Sequence, residues 1–203
     1  MKTSALRRLA GMATVVMAAA SAWAFSTNTL PDLEVWLKAD AGVTTNGSGA
    51  VTTWQDQSGN GHDGSGQGGN PEFIAASSTL GGMPSLSFDD SNSGISLGNL
   101  SASFPSAASL FVVTYVNDSM YNIFNTADNN NYWRWDQDHK AYPGTFRESR
   151  LVPYAEMPGS GACLFQIDSS ASVWRTFTNG FSLGDAPGDY GAGNNYTLGY
   201  VPD

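Results

Sequence analysis

The feature that most constrains this chain is the period of its apolar residues after position 24. They recur at every second residue in short runs, and no stretch of a dozen residues keeps a period near 3.6. A period of two places neighbouring side chains on opposite faces of a strand, whereas helices need the longer period. The residues that fill exposed helix faces are also scarce, with four Glu and three Lys among 203 residues. The sequence therefore predicts an all-β domain.

Short alternating runs separated by Gly, Asn and Ser predict many antiparallel strands, and hence a two-sheet antiparallel sandwich. The runs 86–88 and 95–97 are expected to pair through the polar turn between them. The run 110–116 is apolar almost throughout, which predicts a central strand covered on both faces. Asn179-Gly180 predicts a hairpin turn, because both residues tolerate positive φ. The other predicted strands are residues 33–38, 51–55, 163–167, 173–178 and 196–201.

Residues 1–24 are typical of a secretory signal peptide. Three cations within the first eight residues precede an apolar run, and the segment closes on Ala22-Trp23-Ala24, a small-x-small cleavage pattern. The apolar run, about 12 residues long, is too short for a bilayer core that needs roughly 20. We therefore expect residues 25–203 to be one exported domain, secreted or held at a bacterial cell surface, with no membrane span.

The net charge limits the classes of partner that the chain can bind, and the cysteine content limits its sources of stability. The formal net charge is −9, and it would be more negative without the cations of the leader. Phosphate backbones would be repelled, so nucleic acid is excluded as an expected partner, and neutral glycans or metal cations fit better. Cys163 is the only cysteine, so no internal disulfide forms. Because Cys163 alternates with Phe165 and Ile167, it is predicted to be a small buried hydrophobe.

One glycine-rich loop matches the first half of a calcium loop with oxygen ligands. Asp56, Ser58 and Asn60 occupy its first, third and fifth positions, and a glycine follows at the sixth. The twelfth position is Gln67 rather than Glu, so a site would recruit Asp63, Asp89 or Asp90 instead. Calcium is therefore a candidate cofactor. The alternative is that Asp56 and Asn60 cap a tight turn through hydrogen bonds to the backbone. The wider glycine stretch, residues 59–70, is expected to be a loop that is mobile or pinned by a ligand.

A second segment, residues 129–139, combines the residue types that recognise sugars. Aromatic rings stack on the apolar side of a pyranose, and Asn, Asp and Arg bond its hydroxyls. The alternative is that the two Trp side chains belong to the core and that Arg134 pairs with Asp136 on the surface. The candidate carbohydrate-binding residues are Asn130, Tyr132, Trp133, Arg134, Trp135, Asp136 and Tyr142.

Three further segments, residues 33–42, 54–63 and 83–90, carry an L-W-L-K-A-like opening, W-x-D-x-S-G-N-G and G-x-P-x-L-x-F-D. In this order they resemble secreted bacterial domains of the laminin G-like, concanavalin A-like lectin/glucanase superfamily. The resemblance implies a jelly-roll sandwich, a fold that hosts lectins, adhesion modules, glucanases and lyases. It also implies a closing strand near the opening one, which is not found before Asp203. We expect an unpaired sheet edge there and reduced stability.

Catalysis is the less favoured interpretation of this sequence. If residues 136–138 form a strand, Asp136 and Asp138 share a face and form the adjacent carboxylate pair that a retaining glycosidase needs. The E-x-D-x-x-E motif of glucanases with this fold is absent. A lyase would use Tyr132 or His139 as base and Arg134 to neutralise a uronate, yet the jelly-roll lyase motifs are absent too. The sequence therefore favours a non-catalytic module that binds carbohydrate or a cell-surface ligand. A polysaccharide-degrading enzyme and a structural module of a larger surface protein remain the alternatives.

Overall fold

The computed structural model of this chain describes residues 30–88, 93–104, 107–116, 124–126, 132–135, 141–143, 161–170, 172–187 and 195–199. Within them lie one short 3-10 helix, Ser78–Leu80, and fourteen strands. The strands are β1 (Val43–Thr45), β2 (Val51–Trp54), β3 (Gly64–Gly68), β4 (Glu72–Ile74), β5 (Ser85–Ser87), β6 (Ser93–Gly98), β7 (Ala107–Val116), β8 (Phe124–Thr126), β9 (Tyr132–Trp135), β10 (Ala141–Pro143), β11 (Gly161–Ser170), β12 (Val173–Thr178), β13 (Phe181–Pro187) and β14 (Tyr196–Gly199).

The strands form two larger antiparallel sheets and one small one. Eight strands follow the order β1-β2-β3-β6-β14-β8-β9-β10, and four follow the order β13-β12-β11-β7. Strands β4 and β5 pair separately. The predicted fold class, an all-β antiparallel sandwich, is confirmed. In the described part of the chain, no helix has both the length and the apolar character needed to cross a membrane.

Side chains from both larger sheets meet in one core. The eight-stranded sheet contributes Val51 and Ile95, and the four-stranded sheet contributes Phe165 and Ile167, all with no exposed surface. Cys163 lies beside them with 3% of its surface exposed. Burial raises the pKa of its thiol. The prediction that Cys163 is a small buried hydrophobe is confirmed.

The glycine stretch 59–70 is not a simple loop, because it contains strand β3 inside the eight-stranded sheet. A Cβ atom on Gly64 would collide with the side chain of Ile95, and one on Gly66 with the carbonyl oxygen of Val51. Glycine is needed at both positions because neighbouring groups approach the backbone closely. The expectation of a mobile or ligand-pinned loop is therefore wrong for residues 64–68.

The predicted opening strand, residues 33–38, is not a strand of either sheet. Within the described chain, the only bridge of this segment joins Lys38 to Ala41. Val35 and Leu37 pack against the core, so the predicted apolar face is correct. The backbone groups of this segment bond instead to the loop that follows β2, as described below.

The predicted pairing of runs 86–88 and 95–97 is also wrong. Strand β5 pairs with β4, while β6 lies between β3 and β14. Side-chain fit favours this arrangement, because Gly64 of β3 leaves the space that Ile95 of β6 occupies. The hairpin at Asn179-Gly180 is confirmed, with φ angles of 50° and 81°.

Strand β7 is covered on one face only, which corrects the prediction for residues 110–116. Leu110 and Val112 pack against the core. The alternate residues Phe111, Val113 and Tyr115 are 58%, 70% and 39% exposed. No further layer of the described chain therefore lies over the outer face of β7.

Candidate functional site

The loop after β2 is organised by the carboxylate of Asp56. Its Oδ1 accepts hydrogen bonds from the backbone N–H of Trp36 at 2.8 Å and of Ser58 at 2.9 Å. Its Oδ2 accepts from the Ser58 hydroxyl at 2.6 Å and from the backbone N–H of His62 at 3.1 Å. Four donors therefore surround one carboxylate that is only 7% exposed.

These hydrogen bonds also change the acidity of Asp56. Burial by itself would raise the pKa of the carboxyl group. The hydrogen bonds from the Ser58 hydroxyl and from the N–H groups of Trp36, Ser58 and His62 lower it. The result is a pKa below the ordinary aspartate value, so the ionised form of Asp56 is favoured.

Asn60 extends the same arrangement to the opening segment. Its side-chain amide donates to the carbonyl oxygens of Leu33 at 2.8 Å and Glu34 at 3.1 Å. The backbone N–H of Gln57 donates to the carbonyl oxygen of Trp36 at 2.8 Å. Side chains of the loop thus replace a neighbouring strand. The bonds that Asp56 accepts from the N–H groups of Ser58 and His62 fit the turn-capping interpretation. The side-chain hydrogen bonds of Asn60 within the described chain go to the opening segment instead, so that interpretation is wrong for Asn60.

The four candidate calcium ligands lie in this one loop. Asp63 Oδ1 accepts a 2.9 Å hydrogen bond from the backbone N–H of Asp56. A calcium ion at Asp56 would have to displace hydrogen bonds that both carboxylate oxygens already accept. Within the described residues, no three His, Cys, Asp or Glu side chains are placed to hold a metal ion. Calcium binding by Asp56, Ser58, Asn60 and Asp63 stays a prediction.

His62 connects the loop to two other segments. Its Nε2 lies 3.4 Å from the Ser103 hydroxyl oxygen and 3.8 Å from Glu34 Oε2. A Ser-His-acid triad needs the serine on one ring nitrogen and the acid on the other. Here both neighbours approach the same nitrogen, so this trio does not have the geometry of a nucleophilic triad.

The candidate carbohydrate residues that the structure describes lie in β9 and β10, at one end of the eight-stranded sheet. Arg134 pairs with Tyr142 across these two strands. Tyr132 is two residues from Arg134 in the same strand, and residues two apart share a strand face. The backbone register therefore places Tyr132, Arg134 and Tyr142 together. Trp133 and Trp135 occupy the alternate positions of β9.

The remaining members of that segment lie outside the described residues. They are Asn130 and Asp136 of the candidate sugar site, Asp138 of the carboxylate pair and His139 of the lyase alternative. Their predicted roles stay predictions.

A surface that the sequence did not predict lies on the outside of the four-stranded sheet. We call it the outer patch, and its members are Phe111, Val113 and Tyr115 of β7 with Leu164 of β11. Val113 pairs directly with Leu164, which is 39% exposed, between Phe111 and Tyr115. The sequence of β7 gives no signal for it, because an apolar run looks the same whether its second face is covered or open.

A polar group borders the outer patch beside Phe111. The Ser109 hydroxyl donates to Asp168 Oδ1 at 2.8 Å, and the Gln166 side-chain amide donates to the same oxygen at 3.0 Å. Gln166 pairs with Phe111, and Asp168 pairs with Ser109. An apolar surface therefore meets hydrogen-bonding groups at its end.

Comparison with known proteins gives one structural match. No family profile matches the chain, and no curated protein matches it. Among solved structures, it is similar to the binding domain of Paraclostridial Mosquitocidal Protein 1, with a TM-score of 0.49 and 11% identity over 83% of this chain. The match covers 44% of that chain, so the sequence spans less than half of it. At this level of similarity no residue role is transferred.

Proposed function

We propose that this chain is a secreted, non-catalytic module that binds carbohydrate or a cell-surface ligand. The observation that carries the proposal is the register of β9 and β10, which places Arg134 opposite Tyr142 with Tyr132 two residues away. Aromatic and guanidinium side chains carried by such neighbouring positions would supply the stacking surface and the directional donors that sugar rings and hydroxyls require. The negative net charge favours a neutral ligand.

The enzyme alternative depends on Asp136 and Asp138. If the chain cleaves a polysaccharide through this pair, replacing both with Asn abolishes the release of reducing ends. An activity that is absent from the wild type, or unchanged in the double variant, rejects this alternative. The structural-module alternative instead predicts no saturable binding to any glycan.

The proposal is tested on a glycan array with the full chain, in calcium-containing buffer and again in the presence of a chelator. We expect saturable binding to at least one neutral glycan. Binding that disappears with the chelator would support the calcium prediction for Asp56, Ser58, Asn60 and Asp63. Binding that persists would reject calcium as a requirement for recognition.

Two variants locate the binding. Arg134→Ala combined with Tyr142→Ala is expected to weaken binding to the selected glycan at least tenfold. Lys38→Ala is the matched control, because it also removes one positive charge, from a side chain 41% exposed that pairs with Asp40. Equal binding by the double variant and the wild type would overturn this site. Absence of binding to every glycan on the array would overturn the proposed function.

A further inference from the structure

We infer that the outer patch binds the flat surface of a neutral, insoluble polysaccharide. The inference rests on the proposed function, because it adds a second carbohydrate-binding surface and names its substrate class. The patch is formed by four of the seven exposed large apolar residues of the described chain, gathered on one face of one sheet. Exposed apolar surface concentrated in this way marks an interaction site.

The shape of the surface points to an extended ligand. Strands β7 and β11 pair in unbroken register from Gly161 opposite Val116 to Ser170 opposite Ala107, with no bulge. A regular two-strand face is open and even, whereas small soluble ligands are held in concave pockets. Such a face suits a polymer that itself presents a plane of sugar rings.

The chemistry of the surface favours sugar rings over lipid or protein. Phe111 and Tyr115 stand four residues apart in one strand, roughly 13 Å along its axis, and both present exposed rings. Ser109, Gln166 and Asp168 supply hydrogen-bonding groups beside them. Aromatic rings with a polar border match the apolar faces and peripheral hydroxyls of a polysaccharide.

The charges of the outer patch and of the whole chain favour a neutral ligand. No residue of β7 is charged, and neither is Leu164, which faces it. The chain as a whole carries −9, which repels anionic lipid surfaces and anionic polymers. The acid at the border, Asp168, lies opposite Arg175 of β12, so the border itself carries both signs of charge.

A second copy of the chain is a poorer occupant. Taking about 200 Å² for a whole large side chain, the exposed fractions of the outer patch amount to roughly 400 Å². This is about half of the ~800 Å² that each partner buries in a standard stable interface. Two copies, each with a net charge of −9, would also repel one another. A small patch is sufficient on a polymer, because repeated sites offer many equivalent positions.

The test is a depletion assay with the full chain on microcrystalline cellulose and on chitin. Phe111→Thr combined with Tyr115→Thr is expected to lower the partition constant at least tenfold, since both rings are lost from positions where Thr suits a strand. Phe181→Thr is the matched control, because Phe181 is 78% exposed in the same sheet but pairs with Thr178 of the buried face. Val113→Thr is a milder variant that keeps the side-chain shape, and a two- to fivefold loss is expected.

Depletion of the wild type and of Phe181→Thr, but not of the double variant, supports the outer patch. Equal depletion of all variants overturns it. If only the Arg134→Ala, Tyr142→Ala double variant loses depletion, the outer patch is overturned as a binding surface and the proposed function still stands. If the wild type is not depleted and sedimentation shows a dimer that the double variant does not form, a second copy covers the patch and the inference is overturned. Binding to phosphatidylserine vesicles that the double variant loses would overturn it as well.

Discussion

The backbone N–H of Trp36 donates a 2.8 Å hydrogen bond to Asp56 Oδ1, across twenty residues of sequence. This bond joins the opening segment to the loop after β2, where a strand pairing would otherwise be needed. Removal of the carboxylate leaves four donors without their acceptor. Hydrogen bonds to charged groups are worth about 1.5–3 kcal/mol each before relaxation and rehydration.

We therefore expect Asp56→Ala to lower the free energy of unfolding by about 2–4 kcal/mol in urea titrations. Asp40→Ala is the control, since its side chain is 47% exposed and pairs with Lys38 at the surface. Its effect should stay within about 0.5 kcal/mol. Equal changes in the free energy of unfolding for the two variants would show that the hydrogen bonds of Asp56 do not stabilise the contact between the two segments.

Acid should weaken the domain partly through Asp56. Its pKa is lowered in the folded state, because its hydrogen bonds together outweigh the effect of burial. The resulting stabilisation is fully present above the ordinary aspartate value near 3.8 and is lost as the pH falls through the lower folded value. Asp56→Asn should therefore lose less stability than the wild type between pH 5 and pH 2 when measured by urea unfolding. Parallel pH profiles would contradict the lowered pKa.

Thr176 offers a stabilising substitution. Its hydroxyl oxygen is fully buried and has no hydrogen-bond partner in the described part of the protein. A buried hydroxyl without a partner costs about 1–3 kcal/mol, and valine has nearly the same shape. Thr176→Val is expected to raise the free energy of unfolding by about 1 kcal/mol. A lower free energy of unfolding for Thr176→Val would indicate an ordered water bonded to this hydroxyl. Ser58→Ala is the control, because it removes a hydroxyl that does form a hydrogen bond and should lower the free energy of unfolding.

Gly66 tests the packing of the glycine-rich strand. A Cβ atom there would collide with the carbonyl oxygen of Val51 and with the side chain of Asn70. Gly66→Ala is expected to lower stability by about 2 kcal/mol, because the backbone oxygen cannot move without disturbing β2. Gly69→Ala is the control, since a Cβ atom on Gly69 would meet nothing within 4 Å among the described residues. Similar melting temperatures for the two variants would show that β3 tolerates a side chain.

The buried face of several strands was predictable from the sequence, while the pairing of strands distant in sequence was not. The alternation of Cys163, Phe165 and Ile167 identifies a buried face correctly, because burial follows local polarity. The position of β6 beside β3 depends on the fit of Ile95 over Gly64, residues that are far apart in sequence. The turn at Asn179-Gly180 was predictable because positive φ is a property of those residues alone.

The candidate sites also include features that depend on local sequence and features that depend on strands distant in sequence. The capping role of Asp56 is a local property, since Ser58 and His62 follow it within six residues. The pairing of Arg134 with Tyr142 requires the register of two strands, which spacing alone does not fix. The outer patch depends on how many layers cover β7, and a run of apolar residues carries no information about that number.

Strand β14 has a consequence for how the polypeptide is made. It lies between β6 and β8, although nearly half of the chain separates β6 from β14. Until a ribosome has released residues beyond 199, these two neighbours lack the partner that joins them, and their ladders of backbone groups stay open. The larger sheet is therefore completed late, and a nascent chain halted before residue 196 is expected to be a substrate for chaperones rather than a folded intermediate.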